Sequence, residues 1–215
     1  MMTATSYYLL FLFLILVAAI NAWRRQIATD RALRDARSEV ESLRRDLSEQ
    51  AVRDPLTGLF NRRYLEETLE REIARAARDG SSLSICMADV DDFKSINDTH
   101  GHKVGDMVLK SLAEVFTTYS RAGDVVCRYG GEEFLILMPG ADRDTTTRRA
   151  EDWRRACEQA KIEYEGGTRS VTLSFGVAVF PRHGRASDEV LKLADEALNL
   201  SKNKGKNQVN VARLS

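Results

Sequence analysis

Four short apolar runs, 82–90, 125–129, 133–138 and 171–180, alternate with stretches of helical spacing, and this order constrains the fold more than any other feature. The helical stretches are 61–78, 104–120, 144–161 and 187–202. Asn61 is placed to cap the first of them and Gly80 to end it. Gly130-Gly131, between the second and third runs, is a hairpin signal. A last short strand is expected over 207–212. After the first helix the order reads β-α-β-β-α-β, followed by one more helix. It predicts an α+β domain with a ferredoxin-like, palm-type central antiparallel sheet and helices on one face.

The N-terminal quarter is of another kind. Residues 6–23, SYYLLFLFLILVAAINAW, carry no charge. Such a run is close to the shortest helix that spans the hydrocarbon core, which needs about 20 apolar residues. Tyr7, Tyr8 and Trp23 stand at its ends, where amphipathic rings favour the membrane interface. Arg24 and Arg25 follow immediately. The positive-inside rule then predicts a single-pass anchor over 1–23, with the rest of the chain in the cytoplasm at the inner membrane. A cleaved signal peptide would carry its positive charge before the apolar run instead of after it.

Residues 24–53 are polar and lack Gly and Pro. Leu33, Ala36, Val40, Leu43 and Leu47 recur at a 3-4-3-4 spacing, the narrow seam of a parallel coiled coil. The expectation is a helical linker that pairs two copies; a solvated helix lying on its own domain is the alternative. Residues 54–215 form the expected catalytic domain. No sensory domain is expected ahead of the anchor, so an input would act through the membrane segment, a partner or the oligomeric state.

Composition excludes some functions. With 32 basic and 32 acidic residues there is no global basic field for nucleic acid. Cys86, Cys127 and Cys157 lie in or beside apolar runs without metal-ligand spacing and read as buried thiols. His100 and His102 lack further ligands at zinc spacing, and His183 reads as a loop residue. Trp153 reads as a packing residue.

The chemistry is concentrated where two runs end. The run 82–90 breaks into Asp89-Val90-Asp91-Asp92-Phe93-Lys94, and Glu132 and Glu133 follow Gly130-Gly131. A strand end is a rigid place to hold a hard cation, which takes oxygen ligands together with substrate phosphates. Glycine at the turn lets a nucleotide approach the backbone. If the two strands are neighbours, acids on both tips beside a bare turn suit metal-assisted phosphoryl transfer. Palm domains of polymerases and nucleotidyl cyclases share the expected core, but a fold alone assigns no chemistry.

These residues carry a resemblance. The stretch 128–134, RYGGEEF, resembles the signature of the GGDEF family of diguanylate cyclases in its GGEEF form. Residues 54–63 (DPLTGLFNRR), 89–98 (DVDDFKSIND), 101–106 (GHKVGD), 172–177 (TLSFGV) and 194–207 (ADEALNLSKNKGKN) resemble its other motifs in order. The resemblance implies two Mg²⁺ per site, with Mn²⁺ as the alternative, held by Asp89, the carbonyl of Val90 and Glu132. Glu133 is implied as a further metal ligand or as base for the ribose 3′-hydroxyl. Asn97 and Asp106 match the guanine readers, and an Asp that pairs the guanine N–H edge rejects adenine. The backbone around Asp92, Phe93 and Lys94, with Gly130, Gly131, Lys202 and Lys206, matches the substrate grip. Lys206 stands where the family usually has Arg, keeping charge and losing the bidentate fork. Asn199 and Ser201 replace the usual Tyr and Ala.

The implied function is condensation of two GTP into cyclic di-GMP by a homodimer, one GTP per subunit. A two-fold coiled coil would raise the effective concentration of the half-sites. Arg121 and Asp124, ending five residues before Gly130, resemble the family's RxxD site for inhibition by cyclic di-GMP. The family's second arginine on the following helix is replaced by Asp152, with Arg154 and Arg155 nearby. Two rival functions remain: a non-catalytic module that binds GTP or cyclic di-GMP, and another cyclase or polymerase activity on the same palm. Retained carboxylates argue against the first, and Asn97 with Asp106 against the second.

Overall fold

A computed structural model describes residues 52–213, together with Leu16, Trp23, Gln26, Arg31, Arg37, Glu39 and Val40. The chain divides into two compact units, Met1–Ala51 and Val52–Ser215. In the first unit the described residues are helical and exposed. The expected anchor, apart from Leu16 and Trp23, lies outside the described residues. Among the described residues no helix is long and apolar enough to cross a membrane. Of the seam positions only Val40 is described, helical and exposed, and the others lie outside.

The second unit is built on a six-stranded sheet in the order β1-β3-β4-β2-β7-β8. Its strands are β1 (Phe60–Asn61), β2 (Leu83–Val90), β3 (Val125–Arg128), β4 (Glu133–Pro139), β7 (Leu173–Phe180) and β8 (Val209–Val211). The central four, β3-β4-β2-β7, pair antiparallel as expected. The edge strands β1 and β8 join in parallel. A separate hairpin, β5 (Ile162–Tyr164) with β6 (Gly167–Arg169), was not expected from the sequence. Its strands are too short to give a periodic signal.

Five helices complete the unit: α1 (Arg62–Asp79), α2 (Phe93–His100), α3 (His102–Tyr119), α4 (Arg143–Gln159) and α5 (Ser187–Asn203). Asn61 caps α1 by accepting from Tyr64 N, and Gly80 ends it in the left-handed conformation. The short α2 directly after the acidic strand end also went unanticipated.

Helices cover both faces of the sheet, which corrects the expectation of one. Cys86, Ala88, Phe134, Ile136, Phe175 and Val177 face α2, α3 and α4. Ile85, Met87, Leu135, Leu137 and Ala178 face α1 and α5. The reason is visible in β2 and β7, which are buried at every position. A strand apolar at both parities needs cover on both sides. Trp153 is fully buried and packs on Phe116. The three cysteines are buried and free. Burial pushes the Cys127 and Cys157 thiols up to about 12.

Candidate active site

Register brings the two acidic clusters together. In the antiparallel pairing of β2 with β4, Asp89 stands opposite Glu133. One step further, Val90 N donates to the carbonyl of Glu132 at 3.2 Å. Asp89, Val90, Glu132 and Glu133 therefore share one end of two neighbouring central strands. Asp89 is buried, and Lys202 Nζ from the end of α5 lies 2.8 Å from its Oδ2. Burial raises the Asp89 carboxyl above the ordinary carboxylate range, against the pull of Lys202. Burial and the charge of Asp89 raise Glu132 as well.

The donors suit a hard divalent cation. They are oxygens, three of them belong to carboxylates that repel one another, and a cation already sits against the most buried of the three. Among the described residues no group of three or more His, Cys, Asp or Glu side chains is arranged to hold a metal. A magnesium site here would thus draw on the Val90 carbonyl and on substrate phosphates, as Mg²⁺ sites commonly do.

The signature turn is fixed by a residue that sequence reasoning left without a role. Arg128 donates from Nε and Nη2 to the carbonyl of Gly131, at 3.2 and 2.8 Å. Its Nη1 pairs with Asp54 Oδ1 at 3.2 Å. Asp54 is in turn bound by Thr57 N and Oγ1, at 2.9 and 2.7 Å. The motifs 54–63 and 128–134 are one unit in space. Gly130 leaves room for the Glu133 side chain, because a Cβ there would collide with Glu133 Oε2.

The remaining expected residues fall around this end of the sheet. Asp92 has a left-handed backbone, φ 57°, and precedes α2, which begins with buried Phe93 and exposed Lys94. Lys206 Nζ lies 2.6 Å from Asp92 Oδ1. Asn97, on α2, has a buried Oδ1 without a hydrogen-bond partner. Gly105 on α3 packs so closely on that oxygen that a Cβ would strike it, and the next residue is exposed Asp106. The helices that carry the two expected base readers thus pack against each other at Gly105.

Asp91, the middle acid, plays a different part. It is buried and accepts from Thr172 Oγ1 (2.8 Å), Ser174 Oγ (2.7 Å) and Asn207 N (3.0 Å). No local pattern marks this role, because its partners Thr172, Ser174 and Asn207 lie 81, 83 and 116 residues away.

Arg121 and Asp124 close a turn away from the strand tips, with Arg121 N donating to Asp124 Oδ2 at 2.6 Å and Asp124 N to Arg121 O at 3.0 Å. Both oxygens of Asp124 are also engaged by Arg149 of α4, Oδ1 at 3.1 Å. Arg121, Arg148, Arg149, Asp152 and Arg155 line a cleft of about 530 Å³. Arg154, expected nearby, turns instead to Glu151, Glu158 and Asn207.

Residues 51–208 match the family model described as diguanylate cyclase, GGDEF domain. The chain is 39% identical over 189 residues to diguanylate cyclase DosC of Escherichia coli, covering 85% of this chain and 41% of that protein. It therefore spans less than half the length of that curated relative. The coiled coil and GGDEF domain of DgcB from Caulobacter crescentus, solved with c-di-GMP, is 30% identical at a TM-score of 0.77, covering 85% of this chain and 98% of that one. The active GGEEF domain of a diguanylate cyclase from Vibrio cholerae is 32% identical at a TM-score of 0.68, covering 72% and 98%. With the acids and the signature turn gathered on one sheet end and residues 51–208 matched, the chain belongs to the GGDEF diguanylate cyclase family.

Proposed function

We propose that the chain is a diguanylate cyclase that condenses two GTP into cyclic di-GMP and releases two pyrophosphates. The observation carrying this reading is the meeting of Asp89 with Glu132 and Glu133 on adjoining strand tips, beside Lys202. Asp89, Glu132 and the Val90 carbonyl would hold the divalent ions. When bound, Mg²⁺ neutralises phosphate charge and makes the ribose 3′-hydroxyl easier to deprotonate.

The protein's own groups do the rest. Lys202, Lys206, Lys94 and the backbone of Asp92 and Phe93 orient the triphosphate. The bare Gly130-Gly131 turn admits the nucleotide close to the main chain. Asn97 and Asp106 read guanine, and the orphaned Asn97 Oδ1 gains a donor when the base binds. Glu133 stands at the rim of the site, where it can ligate or take the 3′-hydroxyl proton. That hydroxyl belongs to the GTP of a second copy, so the reaction needs two half-sites face to face. Pairing through the 33–47 seam and anchoring through 6–23 at the inner membrane, with the domain in the cytoplasm, would supply that proximity. The DgcB structure comprises a coiled coil together with a GGDEF domain, which supports the seam.

Cyclic di-GMP is proposed to inhibit from the cleft around Arg121 and Asp124. The arginines of its lining, Arg121, Arg148, Arg149 and Arg155, suit a ligand with two phosphates. The deciding experiment incubates the full chain with Mg²⁺ and GTP and resolves the products. Cyclic di-GMP supports the reading; cyclic GMP, or tight binding without turnover, overturns it. Glu132→Gln should abolish product, and retained activity would sink the metal assignment.

A further inference from the structure

The turn 204–207 is held in an unfavourable backbone from two sides. Lys206 and Asn207 are consecutive residues with positive φ, 63° and 47°. Asn tolerates this region and Lys does so poorly. From the sheet side, the Asp91 carboxylate accepts from Asn207 N at 3.0 Å. From α4, Arg154 Nη1 donates to Asn207 Oδ1 and Asn207 Nδ2 donates to Glu158 Oε1, both at 2.8 Å. Arg154 Nη1 also binds Glu158 Oε2 at 3.0 Å, and its Nε binds Glu151 at 2.9 Å. Arg154 is largely buried, with only 15% of its side chain exposed. The consequence appears one residue earlier: Lys206 Nζ is delivered to Asp92, across a sequence gap of 114 residues.

From this arrangement we propose that Arg154 and Glu158 act through Asn207 as positioning residues for Lys206, setting its ammonium where the substrate's terminal phosphates lie. The inference rests on the reading of Lys206 as part of the triphosphate grip. The physical reason is directness. Lys206 is bonded through its main chain to Ser201 O at 3.1 Å, but that contact fixes its Cα and leaves the turn's tilt to Asn207. A long ammonium stem loses rotamer freedom on binding, so a turn held in advance lowers what the substrate must supply.

The test compares a non-hydrolysable GTP analogue with GMP, each titrated calorimetrically into the full chain in Mg²⁺. Asn207→Gly keeps the N–H to Asp91, accepts the positive φ and removes both side-chain bonds. Triphosphate affinity should fall about tenfold, the size expected of a hydrogen bond to a charged group, while GMP affinity stays within about twofold. Arg154→Met should reproduce the selective loss, and the double variant should be no weaker than the stronger single one. Parallel loss of GMP and triphosphate affinity, or no loss for either variant, overturns the inference. Lys206→Met separates it from the reading beneath it. If that variant weakens the triphosphate but Asn207→Gly and Arg154→Met do not, only the positioning role fails. If Lys206→Met changes nothing, the phosphate role of Lys206 falls and the inference with it.

Discussion

Lys202 Nζ rests 2.8 Å from Asp89 Oδ2, so the most buried acid of the site is neutralised by a lysine from the far end of the sequence. The Asp89 side chain is 8% exposed and that of Lys202 34%. Removing the lysine would leave a carboxylate facing Glu132 without a counter-charge. Lys202→Met should lower stability by about 1–2 kcal/mol, discounted for the half-open lysine. The melting temperature in chelator should drop by about 3–6 °C. Added Mg²⁺ should recover part of the loss, since a cation on Asp89 replaces the missing ammonium. Equal loss with and without Mg²⁺ would show that Lys202 does not hold a cation's place.

Arg128 ties the signature turn to Asp54, and its effect should fall on turnover more than on stability. The guanidinium bridges Gly131 O and the Asp54 carboxylate at once, which a point charge cannot do. Arg128→Met should cut kcat by about tenfold or more through a displaced Glu132-Glu133 pair, a misplacement effect. Arg128→Lys should recover only part of it. Steady-state kinetics on the full chain checks both, and a lysine variant at full activity would remove the bridge from the account.

The cleft on α4 yields a prediction about regulation. Arg121 has its backbone, not its side chain, committed to Asp124, and the side chain is exposed beside Arg148 and Arg155. Arg121→Ala should raise the cyclic di-GMP concentration for half-inhibition by about tenfold. Inhibition at an unchanged concentration would put the feedback site elsewhere.

The parts legible in the sequence are those with local pattern. The helix Arg62–Asp79 announced itself through Asn61 and Gly80, and the four central strands through their apolar runs. The second helical layer was legible too, since LSICMADV and LSFGVAVF are apolar at both parities, yet the element order alone suggested one layer. The helix Phe93–His100 was hidden because it starts from a left-handed Asp92 inside the acidic motif. In the site, Asp89, Glu132 and Glu133 were marked by carboxylates breaking apolar runs. Arg128, Asp91 and Asn207 were not, because their partners lie 74, 83 and 53 residues away, and no spacing rule spans such gaps.

Gly176 sits where α5 crosses β7. A Cβ at this position would run into the carbonyl of Ala194 and the backbone of Leu198, with Leu198 Cα only 2.8 Å away. Backbone cannot rotate aside as a side chain can, so the helix would have to lift. Gly176→Ala should destabilise by about 3 kcal/mol, at the upper end for overpacking. Since α5 carries Lys202, activity should fall with stability; chemical unfolding of the variant measures the first. A variant as stable as the parent would mean that α5 can slide.

His183 lies in the turn after β7, the loop position its sequence suggests, and is buried there. Its Nδ1 accepts from Val179 N at 2.9 Å, so the neutral ring carries its proton on Nε2. Burial, with Arg182 and Arg143 nearby, holds its pKa below the ordinary 6.5. Below that value the unfolded chain binds a proton that the folded chain refuses. The contribution is therefore present above about pH 6.5 and is lost as pH falls from there to the depressed folded value. For a single proton the slope is at most about 1.4 kcal/mol per pH unit. His183→Asn offers an oxygen to the Val179 N–H and cannot titrate, so it should flatten this limb of the stability profile. Urea unfolding midpoints taken from pH 7 downward read the difference directly. Identical slopes in parent and variant would assign the acid sensitivity to other groups.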